Sequence, residues 1–247
     1  MSEQAGATDR LKLGSRAQRQ RQPRPDFDND QIEKVYARWA PFYDPAFAQI
    51  MRWGRAAAVA CANRHHGGQI LDVGVGTGLE LPMFSRSLDV VGVDLSEPML
   101  RRAARRIRQG DLSQVAGLAR MDACRLGFAD ASFDAVVAPF VLTVLPRPEA
   151  SLDEWVRVLR PHGEIIMVNH ISAAQGPLAR FEGWLGRHGA NLGWRPEFPW
   201  AVVGDWLAAR PHLRLAERRL LPPFGLFTLI RIKKALDQRA TAKPHAP

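Results

Sequence analysis

The stretch LDVGVGTG, at residues 71–78, restricts the fold of this 247-residue chain more than any other. A short apolar run ends directly in glycines at alternate positions, Gly74, Gly76 and Gly78. Glycine allows positive φ and a close approach of the backbone to a ligand, and the amides of a following helix attract negative charge. Dinucleotide-binding loops of the type G-x-G-x-x-G need a further glycine at position 79, where this chain has Leu79. The loop therefore predicts a ligand-binding α/β fold with a different glycine spacing.

Predicted strands and helices alternate along the chain from this loop onwards. Five apolar runs predict strands, at 69–74, 90–94, 115–122, 133–140 and 163–170. Three further segments predict helices, at 78–87, 96–109 and 149–160. Such alternation indicates a parallel sheet covered by helices on both faces. Two apolar runs joined by Pro-Pro-Phe-Gly, within residues 213–234, add a predicted antiparallel hairpin at the C-terminal end.

The composition divides the chain into four parts. We expect a basic mobile arm at 1–28, a helical lid at 29–66, the ligand-binding domain at 67–234 and a disordered tail at 235–247. Within the lid, Pro41 interrupts a first helix, and Asp44-Pro45 begins a second helix that runs to about Arg64. Residues 171–212 form an aromatic-rich insertion, which we interpret either as a helical layer that packs on the sheet or as a substrate-facing cap.

The net charge of +9 raises the question of an anionic partner. Six basic residues and no acidic one lie between Arg10 and Arg24, and five arginines lie within 101–108. We interpret the five arginines as the water-facing side of an amphipathic helix, because apolar residues recur at helical spacing on its other side. Nucleic acid, anionic lipid and simple solubility are all compatible with the charge itself.

Cysteine usage and hydropathy limit the metal sites and the cellular locations that we expect for the protein. Cys61 and Cys124 have no metal-site spacing, so we expect no bound metal. The amino terminus lacks the apolar stretch of a secretion signal, and no stretch approaches the roughly 18 apolar residues of a membrane span. We therefore expect a cytoplasmic protein, either free or attached to a membrane from outside.

Acidic residues are the last residues of the second and third predicted strands. Asp94 closes the second strand, where a carboxylate can accept hydrogen bonds from ribose hydroxyls. Asp122 closes the third, positioned to accept from an adenine amino group, with the Ala123 amide available to a ring nitrogen. The carboxyl ends of parallel strands are where such sheets bind ligands. Three glycines and three acids in this order, beginning with Asp72, therefore predict a nucleoside site.

These motifs resemble those of class I methyltransferases that use S-adenosylmethionine. The resemblance covers about residues 68–234 and is carried by LDVGVGTG, VGVDLSEPML, ARMDACRLGF and FDAVVAPFVL. More narrowly, VYARWAPFYDPAF, VGVGTGLELP and PFGLFTLIRIKK are similar to segments of the Rhodobacter-type bacterial phospholipid N-methyltransferases, which convert phosphatidylethanolamine to phosphatidylcholine. The resemblance implies a Rossmann-like fold, with S-adenosylmethionine as the methyl donor and S-adenosylhomocysteine as its product.

The resemblance also implies roles for individual residues. Gly74, Gly76 and Gly78 would contact the cofactor, and Asp94 would bind its ribose. One adenine face would lie on Leu95, and the adenine edge would meet Asp122 and Ala123. Asp72 would orient the loop or bind the methionine amino group through water, near the backbone carbonyl of Pro139. The amide or acid followed by Pro-Pro-aromatic, which nucleobase amine methyltransferases carry after strand four, is absent, since the segment reads APFVL.

Three further residues are candidates for the transfer step. Tyr36 and Tyr43, the only two tyrosines, flank Trp39 on the predicted lid. Their rings can attract the cationic groups of the reaction, and their hydroxyls can bind the cofactor carboxylate or a substrate phosphate. The alternative is that the two tyrosines have only a structural role and pack the lid onto the domain. His170, at the end of the fifth strand beside Asn169, is the best-placed base to take a proton from an amine, with water as the alternative.

Three functional hypotheses follow. The first is stepwise N-methylation of phosphatidylethanolamine at the cytoplasmic face of the cell membrane, which the basic arm would help to bind. The second is C-methylation of a quinone precursor, or another small-molecule methylation. The third is an RNA- or membrane-binding module without activity. On the first hypothesis we expect no nucleic acid partner and no obligate protein partner.

Overall fold

A computed structural model of the chain describes residues 45–171, 198–222 and 225–235. Its described helices are α1 (Pro45–Ala62), α2 (Glu97–Gly110), α3 (Pro148–Val158) and α4 (Ala201–Ala208). Its described strands are β1 (Gln69–Val73), β2 (Asp89–Asp94), β3 (Val115–Arg120), β4 (Phe133–Pro139), β5 (Leu159–Asn169), β6 (Leu213–Leu221) and β7 (Phe227–Lys234). The basic arm, Tyr36, Tyr43, most of the aromatic insertion and nearly all of the tail lie outside these residues.

The seven strands form one sheet in the order β3-β2-β1-β4-β5-β7-β6. Strands β1 to β5 pair in parallel, and β7 lies antiparallel between β5 and β6. The predicted five parallel strands and the C-terminal hairpin are therefore confirmed. The order reverses beside β1, because the chain moves outwards to β2 and β3 and then returns to pair β4 with β1. A reversal of this kind opens a crevice at the carboxyl ends of the two strands.

Apolar residues on both faces of the sheet explain why it is covered on both sides. Trp155 of α3 and Trp206 of α4 are buried against one face, together with Leu71 and Met167. Helices α1 and α2 cover the other face, which includes Ile166. Phe198 and Trp206 belong to the aromatic insertion and are both buried in the core. For this described part of the insertion, core packing is the observed role.

The predicted helix at 78–87 is wrong. Only a single 3-10 turn, Leu81–Met83, forms there, and Phe84 is already extended. Side chains from elsewhere satisfy the backbone groups that a longer helix would have paired. Gln114 Nε2 donates to the Leu81 carbonyl at 3.0 Å, and Asn63 Nδ2 donates to the Met83 carbonyl at 3.1 Å. Because Pro82 lacks an amide hydrogen, the segment has little to gain from continuing the helix.

Helix α2 shows the predicted amphipathic pattern. Its apolar side is anchored by Leu100 and Ala103, which are buried. Four of its five arginines are exposed, as expected of a water-facing surface. The fifth, Arg106, is half-buried and donates from Nε to the Thr77 carbonyl at 3.1 Å. This bond ties the helix to the glycine loop.

The hydropathy of the helices bears on membrane insertion. Within the part of the chain that the structure describes, none of the helices is long and apolar enough to cross a bilayer.

Candidate active site at the carboxyl edge of the sheet

The predicted site residues meet at one edge of the sheet, where the parallel strands end. Gly74 follows β1, Asp94 ends β2, Asp122 follows β3, Pro139 ends β4, and His170 follows β5. Strands β1 and β4 are neighbours, so the glycine loop lies beside the segment that follows Pro139. The structure therefore brings together candidates that are almost a hundred residues apart in sequence.

The three loop glycines all have positive φ, and the surroundings of two of them differ sharply. A Cβ on Gly74 would lie 2.3 Å from Cγ2 of Val141, so this glycine allows the backbone to pack against the segment after β4. A Cβ on Gly76 would meet no atom closer than the Met99 sulfur at 3.6 Å. A side chain at Gly76 would therefore make only ordinary contacts, and the positive φ rather than crowding favours glycine at the centre of the loop. A ligand can approach the backbone there.

Asp94 is held in place by the loop that it faces. Its Oδ2 accepts a hydrogen bond from the Gly76 amide and its Oδ1 from the Ser96 amide, both at 2.8 Å. Burial raises the pKa of Asp94, while the amides of Ser96 and Gly76 act in the opposite direction. A carboxylate offers about four lone-pair positions, so roughly two remain for further donors such as hydroxyl groups.

A second acidic group lies beneath the loop. Asp72 is fully buried, and neither of its oxygens has a hydrogen-bond partner among the described residues. Burial and the nearby charge of Glu80 raise the pKa of Asp72 well above its usual range. Two ionised carboxylates can only accept hydrogen bonds, so the pair is satisfied when Asp72 carries a proton and donates it to Glu80.

Arg55 connects this acidic pair to helix α1. Its Nε lies 3.4 Å from Oε2 of Glu80, and both side chains are largely buried. Burial raises the pKa of Glu80 to about 7, although Arg55 lowers it. The guanidinium carbon of Arg55 also lies 5.7 Å from the centre of the Phe140 ring, within the range of a cation–π contact. One arginine thus contacts residues on both sides of the crevice.

The residues proposed for the adenine are half-buried around the ends of β2 and β3. Strand β3 ends at Arg120, two residues before Asp122, so Asp122 follows the strand and does not close it. Its Oδ1 accepts from the Cys124 amide at 2.8 Å. The Ala123 carbonyl accepts from the indole of Trp155 at 3.1 Å. The Leu95 carbonyl accepts from Arg120 Nε at 2.9 Å, which fixes the backbone at the end of β2.

The crevice is bounded on its other side by residues that follow β4 and β5. Phe140 has a φ of 65°, a conformation that is rare for a bulky residue and typical of functional sites. Its amide donates to the Val168 carbonyl at 2.6 Å, and its ring packs edge-on against Phe227 at 4.8 Å. These contacts hold Phe140 in its strained conformation beside the carboxyl end of β5.

His170 and Asn169 lie on this second side. His170 is 5% exposed, and its Nδ1 lies 2.8 Å from the Leu226 carbonyl. A carbonyl can only accept, so Nδ1 carries the hydrogen, and in the neutral ring Nε2 keeps a lone pair. Asn169 is fully buried, and both polar atoms of its amide lack hydrogen-bond partners. His65, which precedes β1, lies at the opposite edge of the sheet, where its Nε2 is 2.8 Å from Oε1 of Glu164.

Sequence reasoning did not identify Glu80, Arg55 or the burial of the Asn169 amide. Glu80 lies in the run LELP within a segment that was predicted to be helical, and its contact with Arg55 joins residues 25 positions apart. The one local sign of such a contact is that Glu80 is a charged residue between two leucines. Because the segment does not form the predicted helix, helical spacing could not indicate which residues Glu80 contacts.

Comparisons with known proteins agree with this geometry. A family model described as a methyltransferase domain matches residues 71–167. The chain is 40% identical over 205 residues to a phosphatidylethanolamine N-methyltransferase of Cereibacter sphaeroides, and the match covers 83% of this chain and 98% of that protein. The chain belongs to the S-adenosylmethionine-dependent methyltransferases.

Two further similarities define the limits of this assignment. The methyltransferase is 35% identical over 169 residues to a demethylmenaquinone methyltransferase of Roseiflexus, covering 66% of this chain and 69% of that protein. The crystal structure of a methyltransferase from Aquifex aeolicus superposes with a TM-score of 0.60 at 17% identity, covering 81% of this chain and 98% of that one. The second similarity confirms the fold, and the two sequence relatives differ in their acceptors.

The residues of the crevice fit the cofactor of this family. S-adenosylmethionine is the methyl donor, and its amino group, ribose hydroxyls and adenine all need hydrogen-bond partners. The structure offers an unsatisfied carboxyl at Asp72, an uncrowded backbone at Gly76 and remaining acceptor capacity at Asp94. Membership of this family favours an enzyme over the alternative of a binding module without activity.

Proposed function

We propose that this methyltransferase methylates the amino group of phosphatidylethanolamine, stepwise towards phosphatidylcholine. The observation that carries the proposal is the similarity to the Cereibacter phosphatidylethanolamine N-methyltransferase, which extends over 98% of that protein at 40% identity. The similarity to the Roseiflexus demethylmenaquinone methyltransferase covers 69% of that protein at 35% identity. A match along nearly the whole relative includes acceptor-binding regions as well as the cofactor site.

The cofactor supplies an activated methyl group on a sulfonium, and this chain's residues bind and orient it. Asp94 accepts hydrogen bonds from the ribose hydroxyls, and Gly74, Gly76 and Gly78 let the backbone approach. Leu95 packs on the adenine, while Asp122 and Ala123 recognise its edge. Asp72 and the Pro139 carbonyl accept from the amino group. Holding the acceptor nitrogen in line with the methyl group supplies most of the acceleration, because orientation alone is worth roughly 7–11 kcal/mol.

The acceptor amine is protonated at neutral pH and must lose a proton before each transfer. His170 takes that proton on Nε2, because the hydrogen bond from Nδ1 to the Leu226 carbonyl leaves Nε2 with the lone pair. The carbonyl lies in the loop between β6 and β7, so the C-terminal hairpin orients the base. Water is the alternative acceptor of the proton.

Tyr36 and Tyr43 complete the proposal as a lid over the reacting groups. They precede α1, whose Arg55 contacts both Glu80 and Phe140 at the two sides of the crevice. Aromatic faces attract cations by about 0.5–1 kcal/mol when exposed and about 2 kcal/mol or more when desolvated. The charge of this reaction moves from sulfur to nitrogen and stays positive throughout, so aromatic rings suit both the donor and the product.

A lipid acceptor also accounts for the basic arm. Each basic residue close to an anionic leaflet contributes about 1 kcal/mol, so the six between Arg10 and Arg24 give an attraction that weakens with salt. We propose that the enzyme is cytoplasmic and binds peripherally to the inner face of the cell membrane. Removing residues 1–28 should weaken binding to anionic vesicles and leave cofactor affinity unchanged, which vesicle sedimentation and calorimetry would measure.

The proposal is tested by incubating the purified full-length protein with radiolabelled S-adenosylmethionine and vesicles that contain phosphatidylethanolamine. We expect label in monomethyl, dimethyl or trimethyl phospholipid after lipid extraction. The Asp94→Ala variant should reduce the label about 100-fold, because the bonds that it removes are charge-assisted and worth roughly 1.5–3 kcal/mol. Active enzyme that labels no phospholipid would contradict the proposal.

A second candidate is C-methylation of a demethylated menaquinone, which the Roseiflexus similarity favours. The same assay with demethylmenaquinone in the vesicles separates the two. Label in the quinone fraction and none in the phospholipid fraction would support this second function.

A further inference from the structure

Asn169 has the least satisfied buried amide among the described residues. It is the last residue of β5, it is 0% exposed, and both Oδ1 and Nδ2 lack hydrogen-bond partners. Gln114, a second buried amide, donates from Nε2 to the carbonyls of Leu81 and Phe84. Leaving a buried donor or acceptor unsatisfied costs about 1–3 kcal/mol. A cost of this size at a sheet edge that binds ligands indicates that a ligand completes the bonds.

The position of Asn169 assigns it to the acceptor rather than the cofactor. The glycine loop follows β1, Asp94 ends β2 and Asp122 follows β3, and these three strands occupy one side of the crevice. Asn169 ends β5, on the other side of β4, and directly follows Val168, whose carbonyl binds the Phe140 amide. Two strand spacings, roughly 10 Å, separate it from the glycine loop.

We propose that Asn169 binds the acceptor amine, with Oδ1 accepting a hydrogen bond from an N–H of the nitrogen that receives the methyl group. The inference rests on the proposed N-methylation and names the residue that positions its substrate. The segment after β4, APFVL, carries neither an amide nor an acid. The end of the neighbouring strand supplies the amide.

The neutral charge of the amide suits this role. A carboxylate within about 4–6 Å would stabilise the ammonium form and raise the pKa of the amine, which would keep it unreactive. An amide oxygen accepts the N–H of the neutral amine without that charge effect. The proton leaves to His170 or water, and the lone pair of nitrogen then forms the C–N bond while the S–C bond breaks and its electrons stay on sulfur. The amide orients the lone pair and takes no proton.

This assignment distinguishes the three methylations. The neutral amine has two N–H groups before the first transfer, one before the second and none before the third. Asn169 can therefore assist the first two steps and has no hydrogen to accept at the third. A residue that acted only by packing would affect all three steps alike.

The experiment compares the wild type with Asn169→Leu on vesicles of phosphatidylethanolamine, its monomethyl form and its dimethyl form. We expect kcat/KM to fall about 10- to 100-fold on the first two substrates and to stay within about threefold on the third. Thr228→Val is the matched control, because Thr228 is buried and lies opposite Asn169 on β7. It should affect the three substrates equally. Equal losses on all three substrates with Asn169→Leu, or none, would overturn the inference.

The near-isosteric variant Asn169→Asp gives an independent result that does not depend on the third step. A carboxylate beside the amine should shift the rising limb of the pH–rate profile on phosphatidylethanolamine to higher pH by about one unit. An unshifted profile would also overturn the inference. Calorimetric affinity for S-adenosylmethionine should be unchanged in both variants, which shows that they are folded. If the wild type methylates no phospholipid, the proposed function itself fails.

Discussion

Two fully buried carboxyl groups lie at opposite edges of the same sheet and have opposite surroundings. At the amino edge, Glu164 accepts from His65 at 2.8 Å and from two nitrogens of Arg231 at 3.0 and 3.1 Å. At the carboxyl edge, Asp72 has no donor among the described residues. Burial raises the pKa of both groups, but at Glu164 the hydrogen bond from His65 and the charge of Arg231 outweigh it and lower the pKa.

The difference separates structural from functional polar groups. The interactions of Glu164 join the turn after α1, β5 and β7 through residues that are 67 and 99 positions apart. Asn169 instead keeps both polar atoms of its amide without partners, and Asp72 has only the proton that it shares with Glu80, a cost that folding alone would not select. We infer that the unpaired polar groups at the carboxyl edge bind ligands. Each variant below tests whether stability and binding divide between the two edges in this way.

The largest effect is expected at the amino edge. Glu164→Ala removes the more buried of the two carboxylate partners of Arg231, which keeps Glu217, and should destabilise the fold by about 3 kcal/mol. Urea unfolding would measure this loss. The affinity of the remaining folded protein for S-adenosylmethionine should be unchanged, because His65 and Arg231 lie far from the crevice. A loss of affinity with little loss of stability would reverse the assignment of the two edges.

Asp72→Asn should have the opposite pattern. The Asn amide can donate to Glu80 as the protonated Asp72 does, and it needs no proton to do so, so the free energy of unfolding should stay constant or rise by about 1 kcal/mol. The affinity for S-adenosylmethionine should fall about 10-fold, because the neutral amide cannot become the carboxylate that forms a charge-assisted hydrogen bond with its cationic amino group. Calorimetry and urea unfolding on the same preparation measure both quantities. A stability loss comparable with that of Glu164→Ala would contradict the comparison.

The two edges should also respond oppositely to pH. The pKa of Glu80 rises from 4.5 to about 7 on folding, so the folded state binds more protons between these values and stability falls as pH rises through them. The lowered pKa of Glu164 gives stability that is present above its unfolded pKa and lost as pH falls through its folded value. Between pH 5 and 8 the Glu80 effect dominates, and Glu80→Gln should remove a stability loss on the order of 2 kcal/mol.

Urea unfolding at pH 5 and pH 8 measures this difference. The matched control is Glu97→Gln, because Glu97 lies on α2 in an exposed pair with Arg101. The control should keep the pH dependence of the wild type. If Glu80→Gln also keeps the pH dependence of the wild type, the proton shared by Asp72 and Glu80 does not cause that dependence.

The smallest effect is expected on the outer surface. Arg101→Ala removes an exposed ion pair whose nitrogen and oxygen lie 3.3 Å apart. Such pairs contribute about 0–1 kcal/mol, so the unfolding midpoint and cofactor affinity should change little. Differential scanning calorimetry and a cofactor titration are sufficient. A large loss of activity would show that the arginine surface of α2 has a role beyond solubility.

Much of the carboxyl edge could be predicted because its residues are set by local rules. Glycine spacing, an acid after each strand and alternation of strands with helices are all periodic or adjacent in sequence, and they placed Gly74, Asp94 and His170 at one edge. The predicted helix after Gly78 failed because side chains of Asn63 and Gln114 replaced its backbone bonds. Neither contact has a local sequence signal.

The contacts at the amino edge could not be predicted, because they also lack a local sequence signal. His65, Glu164 and Arg231 meet only once five strands and a hairpin are assembled, and nothing in their local sequence indicates the contact. The same applies to Arg55 and Glu80. The burial of Asn169 without hydrogen-bond partners is likewise a property of the folded sheet. The sequence shows only that Asn169 lies beside His170.

The most direct test of the account is calorimetric titration of S-adenosylmethionine into the wild type, Asp94→Ala and Asp134→Ala. Asp134 is the matched control, a half-buried aspartate at the amino edge that accepts from the Gln69 amide at 2.8 Å and from Arg160. We predict that Asp94→Ala weakens binding about 100-fold and that Asp134→Ala leaves it unchanged. Equal affinities for all three proteins, or no binding to the wild type, would contradict the account.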